Sequence, residues 1–125
     1  MAQKPLAGKR CLVLDDEFLI SLDIQLALEN AGAVPIAASN AADAVALLKT
    51  EPRFDVAVVD IVMNEKSMSG LTVAAALAEQ SIPFVFLTGY TADNVNVRQF
   101  PAAPLIEKPY QVAELIAALQ KAIGS

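Results

Sequence analysis

CLVLDDEF, residues 11–18, carries four apolar residues straight into three adjacent carboxylates, Asp15, Asp16 and Glu17. An unbroken apolar run of that length is what a strand covered on both faces requires, so Arg10 to Asp15 reads as the opening strand of a parallel sheet. Like charges side by side repel, so ending such a strand in three acids costs stability unless a cation or a solvated loop relieves it. A wet loop and a metal-holding loop both remain open at this point. Residues 55–60, DVAVVD, repeat the pattern: apolar toward both faces, then a carboxylate, Asp60.

Working outward, apolar runs alternate with helical patterns. Glu17 to Ala31 reads as a helix with an inward stripe of Phe18, Leu22 and Leu26, joined by Leu19 and Leu28 on adjoining rows, and Gly32 supplies its stop. Val34 to Ala38 is a second strand. Asn40 caps a second helix running to Lys49, with Val45 and Leu48 facing in and Pro52 ending it. After the third strand and a loop over Ile61 to Ser69, Gly70 to Gln80 is a third helix. Pro83 to Leu87 is a fourth strand and Leu105 to Glu107 a short fifth. Gln111 to Ile123 closes the chain as a helix through Val112, Leu115, Ile116, Leu119 and Ile123. Strands alternating with helices predict an α/β fold: a parallel sheet with right-handed crossovers and helices on both faces.

Composition narrows the function classes. The 125 residues suffice for one domain with one core, and 55% hydrophobic residues argue against disorder. A net charge of −5 opposes a general nucleic-acid surface, which needs clustered Lys and Arg. The absence of histidine removes Ser-His and Cys-His catalysis and histidine-type zinc sites. The lone cysteine, Cys11, sits in an apolar run and reads as core packing in a reducing compartment. No stretch reaches the roughly 18 apolar residues of a membrane span, and the N-terminal apolar run is too short for a signal peptide. A cytoplasmic protein is the expectation.

In open parallel sheets, functional groups gather beyond the carboxyl ends of the strands. Here those ends carry Asp15 and Asp16, Asp60, Thr88 and Lys108. Any one of them has an ordinary reading as a helix cap, turn residue or solvated charge. Their joint placement is a site: oxygen-only ligands suit a hard cation such as Mg2+, which takes one or two carboxylates and leaves room for phosphate oxygens.

This residue set resembles the receiver domain of two-component response regulators. The motifs LVLDDE, VVDIVM, SGL, FLTGY and EKPY carry the likeness over the whole chain, with a core of about residues 9–124. Within the family it is similar to the subset with a Phe-Ala-Thr-Gly-Tyr-like motif, although Leu87 stands where Ala would. The resemblance implies a doubly wound, flavodoxin-like five-stranded sheet of order 2-1-3-4-5. It implies Asp60 as phosphoacceptor, with Mg2+ ligated directly by Asp16 and Asp60, through water by Asp15, and by the backbone carbonyl of Val62. Lys108 would pair with the phosphoryl group, Thr88 would hydrogen-bond it, and the Lys108–Pro109 bond would be cis. The donor would be a histidine kinase or histidine phosphotransfer protein. The chain would be no enzyme toward other substrates, a monomer or weak dimer, binding neither nucleic acid nor membrane.

Three departures stand out. Most receivers carry an aromatic residue three positions before the lysine, where this chain has Leu105; Tyr90 is the candidate substitute in the switch. The segment between Thr88 and Lys108 is poor in helix formers and holds Pro101 and Pro104, so the fourth helix, around 93–100, is expected to be weak or irregular. The loop after Asp60 is long, has Asn64 where proline is common, and adds Glu65 and Lys66.

A nucleotide-binding α/β enzyme would need a glycine-rich or hydroxyl-rich loop where Asp15, Asp16 and Glu17 stand. A haloacid-dehalogenase-type phosphatase would want Asp-x-Asp there. A pseudo-receiver that only scaffolds fits less well because the full site set is present. A single-domain regulator is the expectation, Met1 and the short tail favouring a complete protein over a piece of a larger regulator or hybrid kinase. The residues two beyond Asp60 and two beyond Thr88 are Val62 and Tyr90, neither suited to positioning a hydrolytic water. Phosphoryl loss from purified phosphoprotein with magnesium and no phosphatase is therefore expected to be slow for a receiver; rapid decay followed by intact mass would contradict this.

Overall fold

The computed structural model describes residues 4–60, 69–88, 103–107 and 110–124, without the side chains of 69–71 and 88. Strand β1 (Arg10–Leu14) lies between β2 (Val34–Ala38) and β3 (Val56–Asp60). Beyond β3 follow β4 (Phe84–Thr88) and β5 (Leu105–Glu107), all parallel, in the order β2-β1-β3-β4-β5. This is the doubly wound, flavodoxin-like sheet. From β1 the chain crosses to β2 on one side and later returns to β3 on the other, so the switch in strand order falls between β1 and β3.

The described helices are α1 (Phe18–Asn30), α2 (Ala41–Thr50), α3 (Ser69–Glu79) and α4 (Val112–Gly124). They cover both sheet faces, which is why the central strands are apolar without alternation. On one face Val13, Val58, Val85 and Leu87 pack against Ile24 and Leu28 of α1 and Leu115 and Leu119 of α4. On the other, Leu12, Val59 and Phe86 meet Ala44 and Leu48 of α2 and Val73 and Leu77 of α3. None of the described helices is long and apolar enough to cross a membrane. The weak helix expected around 93–100 lies outside the described residues.

Local signals set the helix ends. Asn40 accepts a hydrogen bond from the Asp43 backbone N–H at 2.8 Å, and its side-chain amide donates to the Asp43 carboxylate at 3.1 Å, a reciprocal cap on α2. Helix α1 ends in a Schellman motif: the Gly32 N–H donates to the Glu29 carbonyl and the Ala33 N–H to the Leu28 carbonyl. Gly32 has φ +94°, and a Cβ there would lie 2.9 Å from the Lys4 Cβ. Both facts require glycine.

The inward face of α1 differs from the sequence expectation. Ser21, Ile24 and Leu28 are buried, whereas Phe18, Leu19, Leu22 and Leu26 face solvent. Of the expected stripe only Leu28 points in. Apolar residues occur around nearly the whole circumference of this helix, so periodicity alone does not fix its phase. The turns at its two ends do. Val112, expected on the inner face of α4, is likewise exposed.

This phase has a measurable consequence. Leu28→Ala is expected to lower the unfolding free energy by about 2–5 kcal/mol, the cost of a core cavity, and Leu26→Ala by less than about 1 kcal/mol. Urea unfolding of the two variants checks it; equal losses would restore the Phe18-Leu22-Leu26 stripe to the interior.

Candidate functional site

Register builds the site. Leu14 of β1 pairs with Val59 of β3, so the next residues, Asp15 and Asp60, lie side by side where the two central strands end. Asp15 and Asp60 are buried and Asp16 is exposed. Each of the three offers a carboxylate oxygen to one cluster, the oxygens lying within 4.8 Å of one another.

The strand-to-helix connection explains how the chain tolerates this. The Asp15 N–H donates to the Ala38 carbonyl at 3.2 Å, extending the β1–β2 ladder by one rung. The Asp15 carboxylate accepts from the Glu17 N–H at 2.8 Å, an Asx turn that swings the chain out of the strand toward α1. Glu17, at the N-cap position, makes no side-chain cap of its own, but its carbonyl accepts from the Ser21 N–H at 2.9 Å. One carboxylate thus shapes the turn and lies beside Asp60.

Electrostatically, two unit charges about 4 Å apart at an effective dielectric near 20 repel by about 4 kcal/mol; the exposure of Asp16 lowers its share through solvent screening. Three oxygen donors so arranged are matched to a small hard cation, which removes the repulsion and brings positive charge to the edge.

The other predicted residues divide into those the structure places and those it does not describe. Asp60 pairs with Leu87, so Thr88, the next residue of β4, ends its strand at the same edge, in register with Glu107. Leu105 starts β5 opposite Phe86 and is half-buried against the core on the α2/α3 face. Val62, Tyr90 and Lys108, with Asn64, Glu65 and Lys66, lie outside the described residues. Cys11 is wholly buried, and burial pushes its thiol up to about 12, as expected of inert core packing.

Two residues without a predicted role belong to this neighbourhood. Tyr110 is half-buried against the α1/α4 core, and its phenol is raised above its ordinary range by burial, then by the negative charges of Asp15, Asp23 and Asp60. Its place in EKPY, two residues beyond Lys108, is the signal the sequence offers for it. Ser21 is buried on α1 and accepts from the Gln25 side-chain amide at 3.1 Å. A cavity of about 260 Å³ opens beside the acids and is lined by Asp15, Asp16, Phe18, Ser21, Gln25 and Asp43, among others. No sequence pattern marks it.

Comparison with known proteins bears on the family and the fold. The family model described as "Response regulator receiver domain" matches residues 11–120. A response regulator receiver protein from Sinorhizobium medicae is similar at 28% identity and TM-score 0.85, over 94% of this chain and 96% of that one. The chemotaxis protein CheY4 of Vibrio cholerae is similar at 26% identity and TM-score 0.80, over 93% and 99%. A CheY-like receiver domain from Methanospirillum hungatei, at 24% identity and TM-score 0.80, over 94% and 95%, shares the fold. No curated protein matches this sequence.

If repulsion dominates the cluster, neutralising one of its two buried members stabilises the protein. In divalent-free, low-salt buffer Asp60→Asn is expected to raise the unfolding free energy by about 1 kcal/mol or more, with the gain shrinking as salt is added. Urea titrations at two ionic strengths measure it; a destabilised variant would show that the Asp60 carboxylate is held by attractions that outweigh the repulsion.

Proposed function

The chain belongs to the response regulator receiver domain family, and from that premise we propose that Asp60 accepts a phosphoryl group in a two-component phosphorelay. The observation that carries the reading is the meeting of Asp15, Asp16 and Asp60 within 4.8 Å at the carboxyl edge of the sheet. Residues 9–124 then act as one receiver domain. The partners are a histidine kinase or histidine phosphotransfer protein on the donor side and a protein recognising the phosphorylated state on the other. The reading places this exchange in the cytoplasm, with no enzymatic action on other substrates.

In the transfer, an Asp60 carboxylate oxygen attacks the phosphorus of a phosphohistidine in line with the bond to nitrogen. The P–N bond breaks, its electron pair returns to the imidazole, and the phosphoryl group remains on Asp60 as an acyl phosphate. Asp15, Asp16 and Asp60, with the Val62 carbonyl, would hold Mg2+, which supplies positive charge against that developing on the phosphoryl oxygens. Lys108 gives a second positive charge as a point donor to the phosphoryl group. Thr88 donates its hydroxyl to a phosphoryl oxygen and so registers that phosphate is present, with Tyr90 the candidate to follow it in place of the aromatic that Leu105 replaces. Tyr110, half-buried against the α1/α4 core, lies within reach of the acids' charges.

Intact mass after incubation with a small acyl or amido phosphate donor tests this. One added phosphoryl group that requires Mg2+ and is absent in Asp60→Asn is the expected result. A folded wild type that takes up no phosphate from any such donor would instead favour a scaffolding pseudo-receiver.

A further inference from the structure

The buried row of α1 is Ser21, Ile24 and Leu28, and it changes character along its length. Toward the C-terminal end of the helix it is apolar. At the end nearest Asp15 and Asp16 it carries Ser21, only 6% exposed, with the half-buried Gln25 one turn on. The Gln25 side-chain amide donates to the Ser21 hydroxyl at 3.1 Å, so the two stand as a pair at i and i+4. A buried hydroxyl opposes folding unless it meets polar partners. Helix capping does not account for this one, because a capping residue precedes its helix and Ser21 lies inside α1, its own N–H donating to the Glu17 carbonyl.

What the pair meets is the acid edge. Ser21 and Gln25 line the same cavity of about 260 Å³ as Asp15 and Asp16. At about 30 Å³ of liquid volume per water, that space takes several waters. Mg2+ dehydrates reluctantly and keeps several of its waters when carboxylates bind it. Water polarised by a dication is a strong donor, so the groups that hold it from outside must be acceptors. The bond from Gln25 leaves the serine oxygen a second lone pair and the glutamine its amide oxygen, both uncharged acceptors. A further carboxylate would accept as well, but it would add to the repulsion among Asp15, Asp16 and Asp60. Asp43, the other acid of the cavity wall, is already held in the α2 cap by the Asn40 amide at 3.1 Å.

We propose that Ser21 and Gln25 are positioning residues of the acid cluster: they accept hydrogen bonds from the waters of a Mg2+ ion held by Asp15, Asp16 and Asp60, and so favour an ion that keeps its water over one that sheds it. The inference rests on reading that cluster as a Mg2+ site. Outer partners of this kind change metal affinity by about 10–100-fold. Selectivity follows from the same contact. Ca2+ takes more oxygen ligands in a more flexible geometry, so its binding depends less on groups that grip ordered water.

The test titrates the unphosphorylated full chain with MgCl2 and with CaCl2, reads the backbone amide shifts of an isotopically labelled sample, and adds urea unfolding in divalent-free buffer. Ser21→Ala with Gln25→Met removes both partners of the pair together and leaves neither side chain polar and unpaired. This double variant is expected to bind Mg2+ about tenfold more weakly and Ca2+ within about twofold of wild type. Its stability without divalent ions should be unchanged or raised, since both partners of the bond go at once. Gln25→Met alone, at a half-buried position, should lower Mg2+ affinity a few-fold, and Ser21→Thr, which keeps the acceptor, should leave it near wild type. Unchanged Mg2+ affinity in the double variant would overturn the proposal while leaving the Mg2+ site standing. Equal losses of Mg2+ and Ca2+ would also overturn it, by showing that the acids themselves had moved. A wild type whose amides near Asp15, Asp16 and Asp60 do not respond to Mg2+ would overturn both the proposal and the Mg2+ reading beneath it.

Discussion

The parallel pairing of β1 with β3 is the constraint on which the rest depends. Because Leu14 sits opposite Val59, the chain has no means of separating Asp15 from Asp60 short of changing register. A slip of one residue would turn every side chain of a strand to the opposite face. If β1 slipped, Val13 would leave the α1/α4 core and Leu12 the α2/α3 core. Two apolar layers therefore hold two carboxylates together against their own repulsion. A site of this kind belongs at the middle of the sheet, where burial on both faces is greatest and the strands have least freedom to relax.

That rigidity ends where the strands end. Asp15 hands the chain from β1 to α1 through its bond to the Glu17 N–H, and Asn40 does the equivalent for α2 with Asp43. Both are side-chain to backbone bonds from short polar residues, which satisfy helix N–H groups while keeping the polypeptide close to the sheet edge. The acids at this edge are consequently structural and chemical at once. Register places Asp15 beside Asp60, and the turn without its carboxylate would lose its acceptor.

How much of this is legible in the sequence depends on what each signal measures. The strands are legible, with bounds shifting by a residue at their ends, because short apolar runs closed by polar residues and alternating with longer helical patterns fit little besides buried strands. The site acids are legible because strand ends in a parallel sheet converge whatever the details of packing. The face of α1 is not: with Phe18, Leu19, Leu22, Ile24, Leu26 and Leu28 distributed around it, several phases bury similar apolar area. Ser21 is hidden because a serine carries little weight in such a pattern, yet it is buried with a hydrogen bond from Gln25. EKPY marks Tyr110 but not its approach to Asp15, Asp23 and Asp60, which arises because α1 and α4 cover the same face of the sheet.

The phase of α1 shows what the two end turns accomplish against the hydrophobic effect. Burying a leucine in place of a serine would ordinarily favour the folded state by about 1.5–3 kcal/mol. A rotation of the helix by roughly one residue step would turn Leu22 or Leu26 inward. The Asx turn at Asp15 and the Schellman motif at Gly32 fix the first and last turns of the helix, and Gly32 is wedged against Lys4 and Ala7. Rotation would break both anchors and draw Ile24 and Leu28 out of the core. The helix therefore keeps a hydrogen-bonded serine inside and a row of large apolar groups outside. The outward row begins at Phe18, three residues beyond Asp15, so the same anchor that forms the acidic edge also fixes an apolar surface next to it.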